Sequence, residues 1–214
     1  MLELNRKICL LIQEKTLETL KVKEKVIFGV VGGNSVKIIL RELVDQEIPW
    51  EKVHFFMLDE RFVDIKDENS NFKQLKEVLL DNIKIPQENS HPFDYSLENP
   101  VEKYEKEFLK HSETFDLILL SAGEDGHLAS LFPNHDSIKD NSEYFIKVEN
   151  SPKPSSERIS ASRKLLENSK IAILVFSQGR QQAHENFLNN NLSIEQCPAK
   201  IVNSVEDKHV FTYF

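Results

Sequence analysis

Four short apolar runs, most of them closed by glycine or charge, constrain this chain's fold more than any other feature. Val26-Ile27-Phe28-Gly29-Val30-Val31, Val53-His54-Phe55-Phe56-Met57-Leu58, Phe115-Asp116-Leu117-Ile118-Leu119-Leu120 and Ile171 to Phe176 are rich in β-branched and aromatic residues and read as strands. The first is apolar on both faces, which suits a central parallel strand. Between the runs, apolar residues recur at helical intervals of three and four. Ile8, Leu11, Ile12, Leu17 and Leu20 form one such stripe, and Val36 to Val44 form another. Phe72, Leu75, Val78 and Leu79 follow a Ser70-Asn71 cap and stop before Pro86, and further helices are expected over Val101 to Lys110 and Arg180 to Leu188. Strands alternating with helices predict an α/β fold, a mostly parallel doubly wound sheet with helices on both faces. No composition shift or internal repeat divides the chain, so residues 1–214 are read as a single domain. The remainder is read as a loop over 84 to 100, a short strand over Tyr144 to Val148, a loop over Asn150 to Glu157 and a helix over Ser160 to Leu166.

Composition excludes several functions. With 27 Lys and Arg against 35 Asp and Glu, the net charge of -8 disfavours nucleic acid and membrane surfaces as partners. An anionic ligand must therefore be caught by a local basic site. Cys9 and Cys197 form neither a disulfide framework nor a zinc spacing, which fits a reducing cytoplasm. The apolar run from Ile8 to Ile12 meets Glu14 and Lys15, unlike a signal-peptide core, and no stretch approaches the roughly 18 apolar residues of a membrane span.

In doubly wound sheets, ligands bind outside the carboxyl ends of the strands, and three clusters fall there. Gly32-Gly33-Asn34-Ser35, between a strand and a helix, can turn backbone N–H groups toward a phosphate. Taken alone it is equally a tight turn with Asn34 or Ser35 as helix cap, and it is neither a dinucleotide fingerprint nor a Walker loop. Asp59-Glu60-Arg61 ends the second strand with two carboxylates and a guanidinium, a surface ion pair or the lining of a cleft. Gly123, Asp125, Gly126 and His127 follow the third strand in a chain with only six glycines. Two glycines there let the backbone approach a ligand, and Asp125 can fix the tautomer of a His127 acting as general base. Lys153, Arg158 and Arg180 can neutralise an anion, although loop charges are commonly just solvated. The remaining histidines, including His54 in a strand and His135 in a loop, make no metal spacing, so no metal is expected.

Taken in order, Gly32-Gly33-Asn34-Ser35, Asp59-Glu60-Arg61 with Ser70-Asn71, and Gly123-Glu124-Asp125-Gly126-His127-Leu128-Ala129-Ser130-Leu131-Phe132-Pro133 resemble the 6-phosphogluconolactonase family. Ser151-Pro152-Lys153-Pro154 and Arg158-Ile159-Ser160 continue the resemblance over nearly the whole chain. It implies a Rossmann-like fold and hydrolysis of 6-phospho-D-glucono-1,5-lactone to 6-phosphogluconate without a cofactor, the small sugar phosphate lactone being the partner; the chain itself is expected to be cytoplasmic and a monomer. It further implies that His127 serves as the base and Asp125 as its orienting partner. The phosphate is expected on Gly32, Gly33, Asn34 and Ser35, with Asp59, Arg61, Lys153, Arg158 and Arg180 around the substrate.

One position departs from the family pattern: Gln182 stands where a lysine is expected in Gly179-Arg180-Gln181-Gln182, so Arg180 is the candidate to supply that charge. A related deaminase-isomerase of amino sugar phosphates is the nearest rival. Its pattern resembles D-G-H-I-A-F-N-E-P, and this chain has Leu131-Phe132 where that motif carries its Asn-Glu. A non-catalytic sugar-phosphate sensor is the second rival, and the retained Asp125 and His127 speak against it.

Overall fold

The computed structural model describes residues 2–214. The elements alternate as the apolar pattern requires. Helix α1 (Leu2–Leu20) buries Asn5, Ile8, Cys9, Ile12 and Thr16, one face at helical spacing, and leads to strand β1 (Val26–Val30), every residue of which is buried. Helix α2 (Asn34–Leu43), strands β2 (Val53–Met57) and β3 (Asp59–Arg61), and helix α3 (Asn71–Val78) follow. Then come β4 (Ser90–His91), α4 (Pro100–Leu109), β5 (Leu117–Ser121), α5 (Asp136–Lys139), β6 (Phe145–Val148) and β7 (Arg158–Ala161). The chain closes with α6 (Arg163–Glu167), β8 (Ile171–Phe176), α7 (Gln181–Leu188) and β9 (Asp207–Thr212).

A six-stranded sheet runs in the order β4-β2-β1-β5-β8-β9, and all its pairings are parallel. From β1 the chain winds outward through β2 to β4; from β5 it winds the other way through β8 to β9. The reversal therefore falls between β1 and β5, and a crevice opens outside the carboxyl ends of these two neighbours. Buried Asp116 locks their amino ends: its Oδ2 accepts from the Ile27 amide at 2.9 Å and its Oδ1 pairs with Lys23 Nζ at 2.6 Å. Among the described residues no helix is long and apolar enough to cross a membrane.

A second, three-stranded antiparallel sheet, β3-β7-β6, corrects part of the sequence reading. The helix expected over Ser160 to Leu166 is β7 followed by α6, with Ser162 as N-cap accepting from the Leu165 amide at 3.1 Å. Local spacing favoured a helix, but Arg158–Ala161 pairs with Asp59–Arg61 on one side and Phe145–Val148 on the other, and such distant pairing outweighs local preference. The two-residue β4 lies inside the expected loop over 84 to 100, and β9 and α5 lie in segments read as neither strand nor helix. The exposed and half-exposed positions of β9 explain its weak signal.

Asp116→Ala should remove a charge-assisted bond to the Ile27 amide and leave that donor buried. The expected loss is about 2–3 kcal/mol in urea unfolding with an unchanged m-value.

Candidate active site

The crevice between β1 and β5 is a cleft of about 590 Å³. Its lining includes Gly32, Gly33, Asn34, Ser35, Asp59, Arg61, His127, Lys153, Arg158 and Arg180, which is every residue expected to serve as base or to surround the substrate, while Asp125 is not among them. Asp125 lies behind His127, with its Oδ1 2.5 Å from His127 Nδ1. The same oxygen accepts from the His127 amide at 3.2 Å. Burial raises the Asp125 pKa, but the bonds to His127 outweigh it and hold the carboxyl at about 2. An ionised Asp125 keeps the imidazole proton on Nδ1 and leaves Nε2 as the free nitrogen.

Two glycines make this placement possible. A Cβ on Gly123 would fall 2.0 Å from the His127 ring, so only glycine lets the imidazole lie against the end of β5. Gly126 has φ +82, a left-handed turn that returns the chain toward His127. Phe132 then packs on the ring with centroids 4.9 Å apart.

On the β1 side, Gly33 is the N-cap of α2 and no side chain caps the helix. That sets aside the turn reading in which Asn34 or Ser35 is the cap, and leaves first-turn amides facing the cleft. The Gly33 amide is an exception: it donates to Gln74 Oε1 at 2.8 Å. Among the described residues the amides of Asn34 and Ser35 have no such side-chain partner. At Gly32 an added Cβ would fall 2.0 Å from Asn71 Oδ1. Asn71 in turn donates to the Asp59 carbonyl at 2.9 Å and to Asp59 Oδ1 at 3.2 Å.

Asp59-Glu60-Arg61 divides its labour. Asp59 pairs with Arg158 of β7, Oδ2 to Nη1 3.7 Å, not with Arg61 beside it, and accepts from Ser130 Oγ at 2.8 Å. Glu60 points away from the cleft and gathers the amides of Arg61, Asn71 and Phe72 and the Ser70 hydroxyl at 2.7–2.9 Å. It thereby anchors the start of α3; burial still pushes its carboxyl up, against the lowering effect of those donors. Arg61 gives Nη1 to the Asn69 carbonyl, while its Nε is buried with no partner.

The cations of the cleft are not equivalent. Arg158 is occupied by Asp59, Ser130 Oγ and the carbonyls of Pro154 and Ser155, and Arg180 pairs with Glu124 at 2.7 Å. Arg61 and Lys153 pair with no carboxylate among the described residues, so they are the positive charges left for an anion. Gln182 is outside the cleft, exposed and bonded along α7 to Asn186 Oδ1 at 3.3 Å. The sequence reading gave no site role to Gln74, Ser130, Glu124 or Tyr213. Glu124 and Ser130 alone carried a signal, both lying inside the Gly123 to Pro133 run.

The sequence matches the profile described as "Glucosamine-6-phosphate isomerases/6-phosphogluconolactonase" over residues 2–211. The chain belongs to this family. It is 34% identical to 6-phosphogluconolactonase of Thermotoga maritima over 197 residues, covering 91% of this chain and 87% of that one. It is 37% identical to the Borreliella burgdorferi 6-phosphogluconolactonase over 182 residues, 81% of this chain and 77% of the relative. The crystal structure of the Thermotoga maritima protein superposes with a TM-score of 0.87, covering 97% of this chain and 94% of that chain at 28% identity.

In this family member a cleft cation cluster faces a histidine whose second nitrogen is tied to a carboxylate, an arrangement suited to moving a proton beside a bound anion. Gly123→Ala should displace the imidazole and break the contact with Asp125. The check is the ¹⁵N NMR signature of His127, which should lose its single Nδ1-protonated tautomer while unfolding stays cooperative.

Proposed function

We propose that this chain hydrolyses 6-phospho-D-glucono-1,5-lactone to 6-phospho-D-gluconate, the second step of the oxidative pentose phosphate pathway, with His127 as general base. The observation that carries the reading is the Asp125–His127 pair at 2.5 Å, placed on the wall of a cleft that also holds Arg61 and Lys153. His127 Nε2 takes a proton from water as the water oxygen adds to the lactone carbonyl. The ionised Asp125 stabilises the imidazolium that results. When the bond from the carbonyl carbon to the ring oxygen breaks, the imidazolium returns the proton to that oxygen and the new carboxyl ionises. The substrate phosphate rests on the amides of Asn34 and Ser35, at the positive end of α2, with Arg61 and Lys153 as its counter-charges.

Arg158 supports this site as a positioning residue: through Asp59 and Ser130 it holds the β3, β7 and His127 segments together. The steps need no cofactor, and the proposed setting is a single-domain monomer over residues 1–214 in a reducing cytoplasm.

The deaminase-isomerase reading needs a further acid-base group beside the histidine. Phe132, which aligns with the glutamate of that motif, is fully buried and packs on the His127 ring, so that position supplies a hydrocarbon wall. The test is a rate assay with freshly generated lactone, corrected for spontaneous hydrolysis, beside glucosamine 6-phosphate. Lactone turnover without deamination is expected. Deamination, or binding of the sugar phosphate without turnover of either substrate, would overturn the reading.

His127→Ala should lower kcat by about 10²- to 10⁴-fold with little change in KM. Arg61→Ala should instead raise KM by about 10- to 100-fold, the scale of a lost hydrogen bond to a charged group. Because Gln182 is exposed outside the cleft and Arg180 is paired with Glu124, Gln182→Lys should be nearly silent and Arg180→Ala should change KM far less than Arg61→Ala; a steady-state comparison of the three variants checks this.

A further inference from the structure

A second cluster of titratable side chains lies away from the cleft, where β2, the edge strand β4 and the end of α4 meet. His54, His91 and His111 each bring one ring nitrogen within 4.8 Å of the others. His54 Nδ1 and His91 Nε2 are 3.0 Å apart, and the three ring centroids are separated by 4.6–5.3 Å. His91 is buried and stacked on Phe56 at 4.1 Å, while His54 and His111 are half-buried. The spacings 54, 91 and 111 match no ligand pattern, which is why the sequence gave no sign of this group.

The outer nitrogens are already arranged. Glu107 Oε1 is hydrogen-bonded to His111 Nε2 at 3.4 Å and stands 3.4 Å from His91 Nδ1, so one carboxylate oxygen lies beside both rings. Carboxylates holding the outer N–H of imidazoles are the usual support of histidine metal ligands. His54 Nδ1 and His91 Nε2 share one proton in their 3.0 Å hydrogen bond, and a metal ion would take both nitrogens once that proton moved to His54 Nε2. The Lys25 ammonium lies 3.0 Å from His111 Nδ1, so a cation already occupies the mouth of the cluster.

We propose that His54, His91 and His111 bind a borderline divalent transition metal of the zinc type, with Glu107 orienting His91 and His111 and Lys25 competing for the site. Imidazole suits such ions. Metal–nitrogen bonds of about 2.0–2.1 Å place tetrahedral ligand nitrogens about 3.4 Å apart, so the His54–His91 pair at 3.0 Å opens slightly while the half-buried His111 turns inward. Water completes the fourth position. The ion would pin the two-residue edge strand β4 and the end of α4 to β2, and it has no part in the lactone chemistry proposed above.

The experiment uses the full chain, stripped of metal by a chelator and titrated with Zn²⁺ against a chromophoric competitor. The His127→Gln background removes the cleft histidine as an alternative ligand. One equivalent should bind and raise the thermal midpoint. The His54→Gln/His111→Gln double variant, whose changes are at half-buried positions, should lose at least about 100-fold in affinity, and Glu107→Gln about 10- to 100-fold. Lys25→Ala should tighten binding by about tenfold as a repelling charge is removed, an effect that simple aromatic packing would not give. In an otherwise wild-type background, the double variant should keep its far-UV circular dichroism and its lactone turnover. Absence of stoichiometric binding, equal affinity in the double variant, or no gain in Lys25→Ala would each overturn the proposal, whatever the outcome of the lactone assay.

Discussion

The Asp59 carboxylate is the contact on which the rest of the cleft depends. It pairs with Arg158 of β7, accepts from Ser130 in the loop after His127, and accepts from Asn71 at the start of α3. Those three partners belong to three separate walls. Asn71 in turn sits against Gly32, so the same carboxylate reaches the turn after β1. Removing one partner from a buried ion pair leaves an uncompensated charge and costs about 3–5 kcal/mol. The second sheet therefore joins the first through a polar network, which fixes where the cations stand.

This network separates charges that hold the site from charges that serve it. Arg158 is nearly buried and its donors are engaged within the protein, so it contributes field and rigidity. Arg61 keeps a buried Nε without a partner, and Lys153 makes no ion pair among the described residues. The proposed reading gives both charges to the substrate phosphate. The net charge of -8 makes such local compensation necessary for any anionic ligand. A parallel division appears in the acidic residues: Glu60 caps a helix from beneath the site, and Asp125 stays ionised behind the histidine it orients.

Glycine placement reflects the same economy. Gly123 and Gly32 are small because a side chain and the backbone share one volume, His127 in the first case and Asn71 in the second. Gly126 is needed for its left-handed backbone. Substitution at the first two therefore moves a named side chain, whereas substitution at Gly126 strains the turn itself.

The sequence alone determined the parallel sheet, because buried runs alternating with helical stripes have few other ways to hide both faces. It also determined the two loops of the cleft, since Gly32 to Ser35 and Gly123 to His127 follow strands directly and carry their chemistry at short range. Tertiary structure decided the rest. The partner of Asp59 is Arg158 rather than adjacent Arg61, because β3 and β7 pair as antiparallel strands nearly a hundred residues apart in the chain. The strand at Arg158–Ala161 was hidden for the same reason, its stability coming from neighbours absent from any local window. The use of the Gly33 amide by Gln74, and the meeting of His54, His91 and His111, likewise depend on distances set only when helices pack on the sheet. Local periodicity records which face of an element is buried; it does not record which distant polar group will be waiting there.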